Sequence, residues 1–269
     1  MTVRICVIGN SHCAALAQAW KDVSPQIAQR FSLTFFASRI SHLAHLRPDG
    51  WHLRPGTQRL ATKFRVSSGG LETVEVDAYD AFVLVGCGLG VDLEQIAAQG
   101  TPVSLLRYGR TKVVVSEACF DAAVACYMRS RALFDVLKSL RSVSHKPALI
   151  VAAPYLSERV LDIEPFASMA QYRDSAFLAT LVARCRRSAD AAAAEHGCEV
   201  VWQDPVTVAA PGFTRLDYGM DRPREQDEDE GGLADIRHCN PKYGALALTR
   251  ILARLAALLA TSTVHADAL

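Results

Sequence analysis

Short apolar runs rich in β-branched and aromatic residues recur along this chain, with longer helical patterns between them. The strand-like runs are "VRICVIG" (3–9), "FSLTFFA" (31–37), "YDAFVLVGCG" (79–88), "TKVVVS" (111–116), "KPALIVAAPY" (146–155) and "CEVVWQ" (198–203). Helical patterns occupy 12–22, 91–99, 117–140, 168–196 and 243–260. Strands that are apolar on both faces must be covered on both faces, and alternation with helices supplies that cover. The pattern predicts a three-layer α/β/α sandwich around a doubly wound, mainly parallel sheet of flavodoxin-like type. One stretch departs from it: "RLATKFRVSSGGLETVEV" (59–76) places Ser68-Gly69-Gly70 between two alternating runs and is expected to form a small hairpin insertion.

No internal repeat or linker divides the 269 residues, so residues 1–260 are expected to form one domain, with 261–269 as a disordered tail. "DRPREQDEDEGG" (221–232) combines Pro, Gly and dense acidic charge and is expected to be a mobile solvated loop. A net charge of +1 gives no basic excess for a nucleic-acid partner. No run approaches the ~20 apolar residues of a membrane span. The first strand begins at once, without a secretory leader, so a cytoplasmic location is expected. Eight cysteines are scattered without a C-x-x-C pair, which fits buried thiols and offers no zinc framework. No metal and no cofactor are expected.

The first strand breaks at Gly9-Asn10-Ser11-His12 and the chain restarts as a helix, "CAALAQAW". Gly9 allows a tight turn, and Asn10 or Ser11 could cap the helix. Ser11 would also lie at a helix N-terminus beside free N–H groups, where an oxyanion can be stabilised. Near the other end comes "ADIRHCNPKYGALALTRIL" (234–252), in which Asp235 and His238 are three residues apart. That spacing lets a carboxylate fix the imidazole tautomer, freeing the far ring nitrogen to deprotonate a serine. An open α/β sheet gathers its site at the strands' carboxyl ends, so Ser11 and the D-x-x-H can meet on one rim.

Gly9-Asn10-Ser11-His12 at the first strand's end and Asp235-x-x-His238 before the last helix resemble the SGNH (GDSL-type) hydrolase superfamily. The resemblance implies Ser11 as nucleophile, His238 as general base, Asp235 as its orienting partner and an acyl-serine intermediate. It implies a serine esterase or acyltransferase, acting on a small-molecule or carbohydrate ester, with an O-acetylated carbohydrate as the favoured class. The family's G-x-N-D block is missing, since the third strand-like run ends "VGCGLG" (85–90) with Leu89 about where the asparagine would be. Backbone N–H groups of Ser11, Gly86 and Gly88 are therefore the expected oxyanion donors, and Asn10, His12 and Asn240 the expected substrate contacts. A non-catalytic carbohydrate-binding or scaffold protein with this fold is the alternative of a different class.

Other chemistries fit less well. A dinucleotide or S-adenosylmethionine loop at "VGCGLGV", with Glu117 on the ribose, would need glycine where Val91 stands. Arg107 and Arg110 could hold an anionic group. Cys13, two residues into the helix, is expected to face the sheet rather than act as a nucleophile.

Overall fold

The computed structural model describes residues 2–90, 101–103, 113–162, 176–220 and 235–266. Five parallel strands form the central sheet: β1 (Val3–Gly9), β2 (Phe31–Ala37), β6 (Ala81–Val85), β9 (Ala148–Val151) and β11 (Glu199–Val201), in the order β11-β9-β6-β1-β2. Counted along the chain that is 2-1-3-4-5, the flavodoxin-like order. Its reversal lies between β1 and β6, which makes the crevice at their carboxyl ends the expected ligand position.

Side-chain alternation builds the two outer layers. Ile5, Val7, Ala81, Val83 and Leu149 join one buried cluster, while Cys6, Ile8, Phe82, Leu84 and Ile150 join the other. The first cluster is completed by Cys13 and Leu16 of α1 (Cys13–Lys21) and by Leu248, Ile251, Leu252 and Leu255 of α8 (Pro241–Ala266). The second takes Leu60 and Phe64 of α4 (Gln58–Ser68), Phe120 and Val124 of α5 (Glu117–Arg129), Leu133 and Leu137 of α6 (Ala132–Arg141) and Leu181 and Cys185 of α7 (Ala176–Ala194). Two small elements not expected from the sequence, α2 (Pro25–Arg30) and α3 (Ile40–Leu43), flank β2.

Several expectations need correcting. Residues 59–76 are not a hairpin: Gln58–Ser68 is helical, with the Thr57 hydroxyl accepting from Leu60 N–H and Gly69 (φ 80°) ending the helix. Leu60, Ala61 and Phe64 form its buried stripe, a helical spacing that the apparent alternation concealed. The hairpin in this region is β3 (Leu46–Asp49) with β4 (His52–Pro55), extended by β5 (Val74–Glu75). The helix expected over 117–140 is two helices broken at Ser130-Arg131. Val114–Val115 (β8) pairs with Thr101–Pro102 (β7), apart from the central sheet. The last helix runs to Ala266, through residues expected to be tail. Its Pro241–Thr261 stretch is long and apolar enough to cross a membrane by length and composition, with mean hydropathy 1.5. In the fold, one stripe of that helix is buried against α1 and the sheet. The 91–99 helix, Arg107, Arg110 and the acidic 221–232 loop lie outside the described residues.

Candidate active site

Gly9 is level with Val85 in the β1–β6 register, so Asn10-Ser11 and Gly86-Cys87-Gly88 leave the sheet side by side at the switch point. Gly9 serves close approach: a Cβ there would lie 2.6 Å from both Cys13 Sγ and Val85 O. The Asn10 carboxamide oxygen accepts His12 N–H at 3.2 Å, while Cys13 N–H and Ala14 N–H bond to the Asn10 and Ser11 carbonyls at 3.0 Å each. Helix entry thus uses backbone carbonyls and Asn10, and the exposed Ser11 hydroxyl is not a cap.

That hydroxyl lies 2.7 Å from His238 Nε2. The other ring nitrogen, Nδ1, is 2.8 Å from Asp235 Oδ2 and 3.0 Å from Oδ1. An ionised carboxylate only accepts, so Nδ1 carries the proton and Nε2 is the acceptor for Ser11 O–H. Asp235 Oδ1 also accepts the N–H groups of Arg237 and His238, at 3.1 and 3.0 Å. Burial opposes ionisation of Asp235, but electrostatic attraction to His238, the Nδ1–H bond and these two amides outweigh it, and the pKa falls below the ordinary carboxylate value. The segment is pinned along its length. Ser157 N–H donates to Ile236 O, Met220 N–H to His238 O, and Asn240 N–H to Tyr218 O.

Residues from opposite ends of the chain meet because α1 and α8 cross in intimate contact. At Gly244 a Cβ would stand 2.1 Å from Ala15 O, a distance no side chain tolerates. Glycine lets the helix that follows His238 lie directly on the helix that follows Ser11.

The second wall is the turn Gly86–Leu89, which packs on Asn10 and His12 and is closed by Leu89 N–H to Gly86 O at 2.8 Å. Gly86, Cys87 and Gly88 all have positive φ (67°, 46° and 80°), and Cys87 is the one described non-glycine residue there. Such a conformation costs a cysteine roughly 1–2 kcal/mol, and strain of this kind concentrates at functional sites. The Gly86 assignment as oxyanion donor is corrected here: its N–H is committed to Val151 O at 2.8 Å, as part of the sheet's hydrogen bonding. The Ser11 and Gly88 amides have no acceptor among the described residues. Cys87 O accepts Leu133 N–H at 3.0 Å, and the trans peptide therefore turns Gly88 N–H away from α6. Gly86 has a different purpose, since a Cβ there would meet Asn10 Oδ1 at 2.5 Å and His12 Cδ2 at 2.9 Å.

The expected substrate contacts separate. Asn240 is committed to structure: its Nδ2 donates to Asp217 O (2.8 Å) and Gly219 O (3.1 Å), and its Oδ1 accepts Tyr243 N–H (3.2 Å), capping α8. Asn10 and His12 do reach the site. The His12 ring centroid is 5.5 Å from that of His238, and its Nδ1 is buried with no hydrogen-bond partner among the described residues. Burial and the neighbouring His238 push its pKa down to about 4. Cys13 is buried, and burial pushes its pKa well up, as suits a packing residue and not a thiolate. Glu117 ion-pairs with Arg184 in the helix layer and is not placed as a ribose ligand.

No family model and no curated protein matches this chain. Among solved structures, the extracellular lipase from Streptomyces rimosus is similar at a TM-score of 0.44 and 11% identity, over 93% of this chain and 99% of that one. The fold class stands on the strand order and the two covering layers.

Proposed function

We propose that this chain is a serine ester hydrolase or acyltransferase of SGNH type. The observation that carries the reading is the Ser11 Oγ to His238 Nε2 contact at 2.7 Å, with Asp235 on the opposite ring nitrogen. As Ser11 Oγ attacks the ester carbonyl, His238 Nε2 takes its proton, and Asp235 stabilises the imidazolium. The amides of Ser11 and Gly88 receive the oxyanion. His238 then returns the proton to the leaving alkoxide, giving the alcohol and an acyl-serine. Water or an acceptor hydroxyl, deprotonated by His238, attacks the acyl-serine and restores Ser11. An O-acetylated carbohydrate is the favoured substrate class, on the resemblance of the two motif blocks.

A fluorophosphonate probe tests nucleophile, base and oxyanion site together. Labelling at Ser11 is expected, with Ser11→Ala and His238→Ala lowering kcat/KM on an aryl acetate by at least about 10³-fold. The Tm of Ser11→Ala should move by no more than about 4 °C, since its hydroxyl caps nothing. Absence of labelling, under conditions that modify a control serine esterase, would leave the non-catalytic carbohydrate-binding protein as the reading.

A further inference from the structure

Arg131 lies in the Ser130-Arg131 break between α5 and α6, and its guanidinium is seated on the Gly86–Leu89 turn. Nε donates to Gly88 O at 2.7 Å, and the guanidinium carbon lies 4.7 Å from the centre of the Tyr127 ring. The seat exists because residue 88 has no side chain: a Cβ there would stand 3.1 Å from Arg131 Nη2 and 3.4 Å from Nε. The α6 N-terminus beside it is no anion site, because Leu133 N–H is taken by Cys87 O.

Among the described residues, Nη1 and Nη2 of Arg131 have no hydrogen-bond or ion-pair partner. The group is thus a half-buried cation, held by its Nε and its ring face, whose remaining donors meet no acceptor among the described residues. Such preorganisation lowers the entropy cost of gripping an anion through a planar fork. The turn that seats the cation is the one that packs on the nucleophile's segment: Gly86 lies against Asn10 and His12, and the Gly88 Cα is within about 7.6 Å of the Gly86 Cα.

We propose that Arg131 forms an anion-binding subsite beside the nucleophile, and that the ester substrate carries a carboxylate or phosphate a few bonds from its scissile carbonyl. The subsite rests on the serine-hydrolase reading for the position of that carbonyl. It adds a specificity determinant that the sequence did not mark, because an arginine between two helices reads as a surface residue.

Pairs of esters that differ in charge provide the test. Mono(4-nitrophenyl) glutarate against 4-nitrophenyl pentanoate places the charge on the acyl side. Both 4-acetoxybenzoate and 4-acetoxyphenyl phosphate, each against phenyl acetate, place it on the alcohol side and separate carboxylate from phosphate. Wild-type protein should favour at least one anionic ester by about 10-fold or more in kcat/KM, as a charge-assisted fork contact implies. Arg131→Gln should abolish that preference, lowering kcat/KM on the anionic ester about 10-fold more than on the neutral one, whatever loss both share through the Gly88 turn. Arg131→Lys should restore part of it. Equal losses on charged and neutral esters would reduce Arg131 to a support of the turn, and absence of any charge preference in the wild type would overturn the subsite. Calorimetric binding of the same anionic esters to Ser11→Ala and to Ser11→Ala/Arg131→Gln separates the two failures. If no ester is hydrolysed, the hydrolase reading falls, and the subsite stands only if Arg131→Gln weakens binding by about 10-fold.

Discussion

The two walls of the site are built on different principles. On one side, Ser11, His238 and Asp235 are side chains whose chemistry depends on identity, and each is placed by a short local motif. On the other, the Gly86–Leu89 turn offers backbone, and its chemistry depends on conformation. Each carbonyl of Gly86, Cys87 and Gly88 is taken up by a named donor, from Leu89, Leu133 and Arg131 respectively. Under the proposed function, the acid–base half is a matter of which residues are present, while the oxyanion half is a matter of how tertiary contacts aim peptide groups.

Gly86→Ala strikes the backbone wall without altering any of the three triad side chains, although its Cβ also presses on Asn10 and His12. The new Cβ would meet Asn10 Oδ1 at 2.5 Å, at a residue whose φ is 67°. The turn must shift, and kcat on an aryl acetate should fall by about 10²-fold, the usual scale for one misplaced oxyanion donor. Activity within twofold of wild type would show that the turn does not serve the reaction, and the two walls would no longer be functional equals.

Legibility in the sequence follows the same division. The serine and the D-x-x-H could be read because residue type and spacing carry their chemistry, and the strand-helix alternation set the layer order. The turn could not be read in full. "VGCGLG" announces freedom of φ, but not that Gly86 N–H is consumed by Val151, a partner 65 positions away in sequence. Asn240 reads from the sequence either as a site residue near His238 or as a helix cap, and all three of its side-chain hydrogen bonds are structural, the cap among them. The 59–76 segment misled because Arg, Lys and Thr between apolar residues imitate strand alternation, and only the stripe of Leu60, Ala61 and Phe64 distinguishes the helix.

His12 spans both walls, touching the Gly86 turn and facing the His238 ring, and it gives the comparison a pH signature. Its folded pKa of about 4 lies below the ordinary 6.5, so between those values the unfolded chain binds a proton that the folded chain refuses. Stability conferred by neutral His12 is therefore complete above about pH 6.5 and is lost as pH falls toward 4, by up to about 3 kcal/mol. The depressed Asp235 carboxyl acts in a separate window, beginning near its ordinary 3.8 and extending lower. Denaturant unfolding at pH 7.5 and 4.5 should show a smaller stability loss for His12→Asn than for wild type. Equal losses would mean that the His12 ring is solvated, and the site would lose its neutral, buried link between the walls.

The smallest expected effect tests what brings the walls together. The helix after Ser11 and the helix after His238 touch at Ala15 and Gly244, where any Cβ would overlap the Ala15 carbonyl. Alanine favours helix over glycine by about 1 kcal/mol, so Gly244→Ala would stabilise α8 if propensity alone mattered. Overpacking at a helix crossing costs typically 1–3 kcal/mol, which opposes and should exceed that gain. Because the clash is with backbone, the overpacking cost lies at the upper end, and the net expectation is a loss of about 2 kcal/mol, read as a lower denaturant midpoint with unchanged m-value. The displacement should also lengthen the Ser11–His238 contact, so fluorophosphonate labelling should slow more than a change of that size in stability explains. A stabilised variant with unchanged labelling would show that the crossing is looser than Gly244 implies, and that the 235–240 strap, pinned by Ser157, Met220 and Tyr218, places His238 without help from the helix behind it.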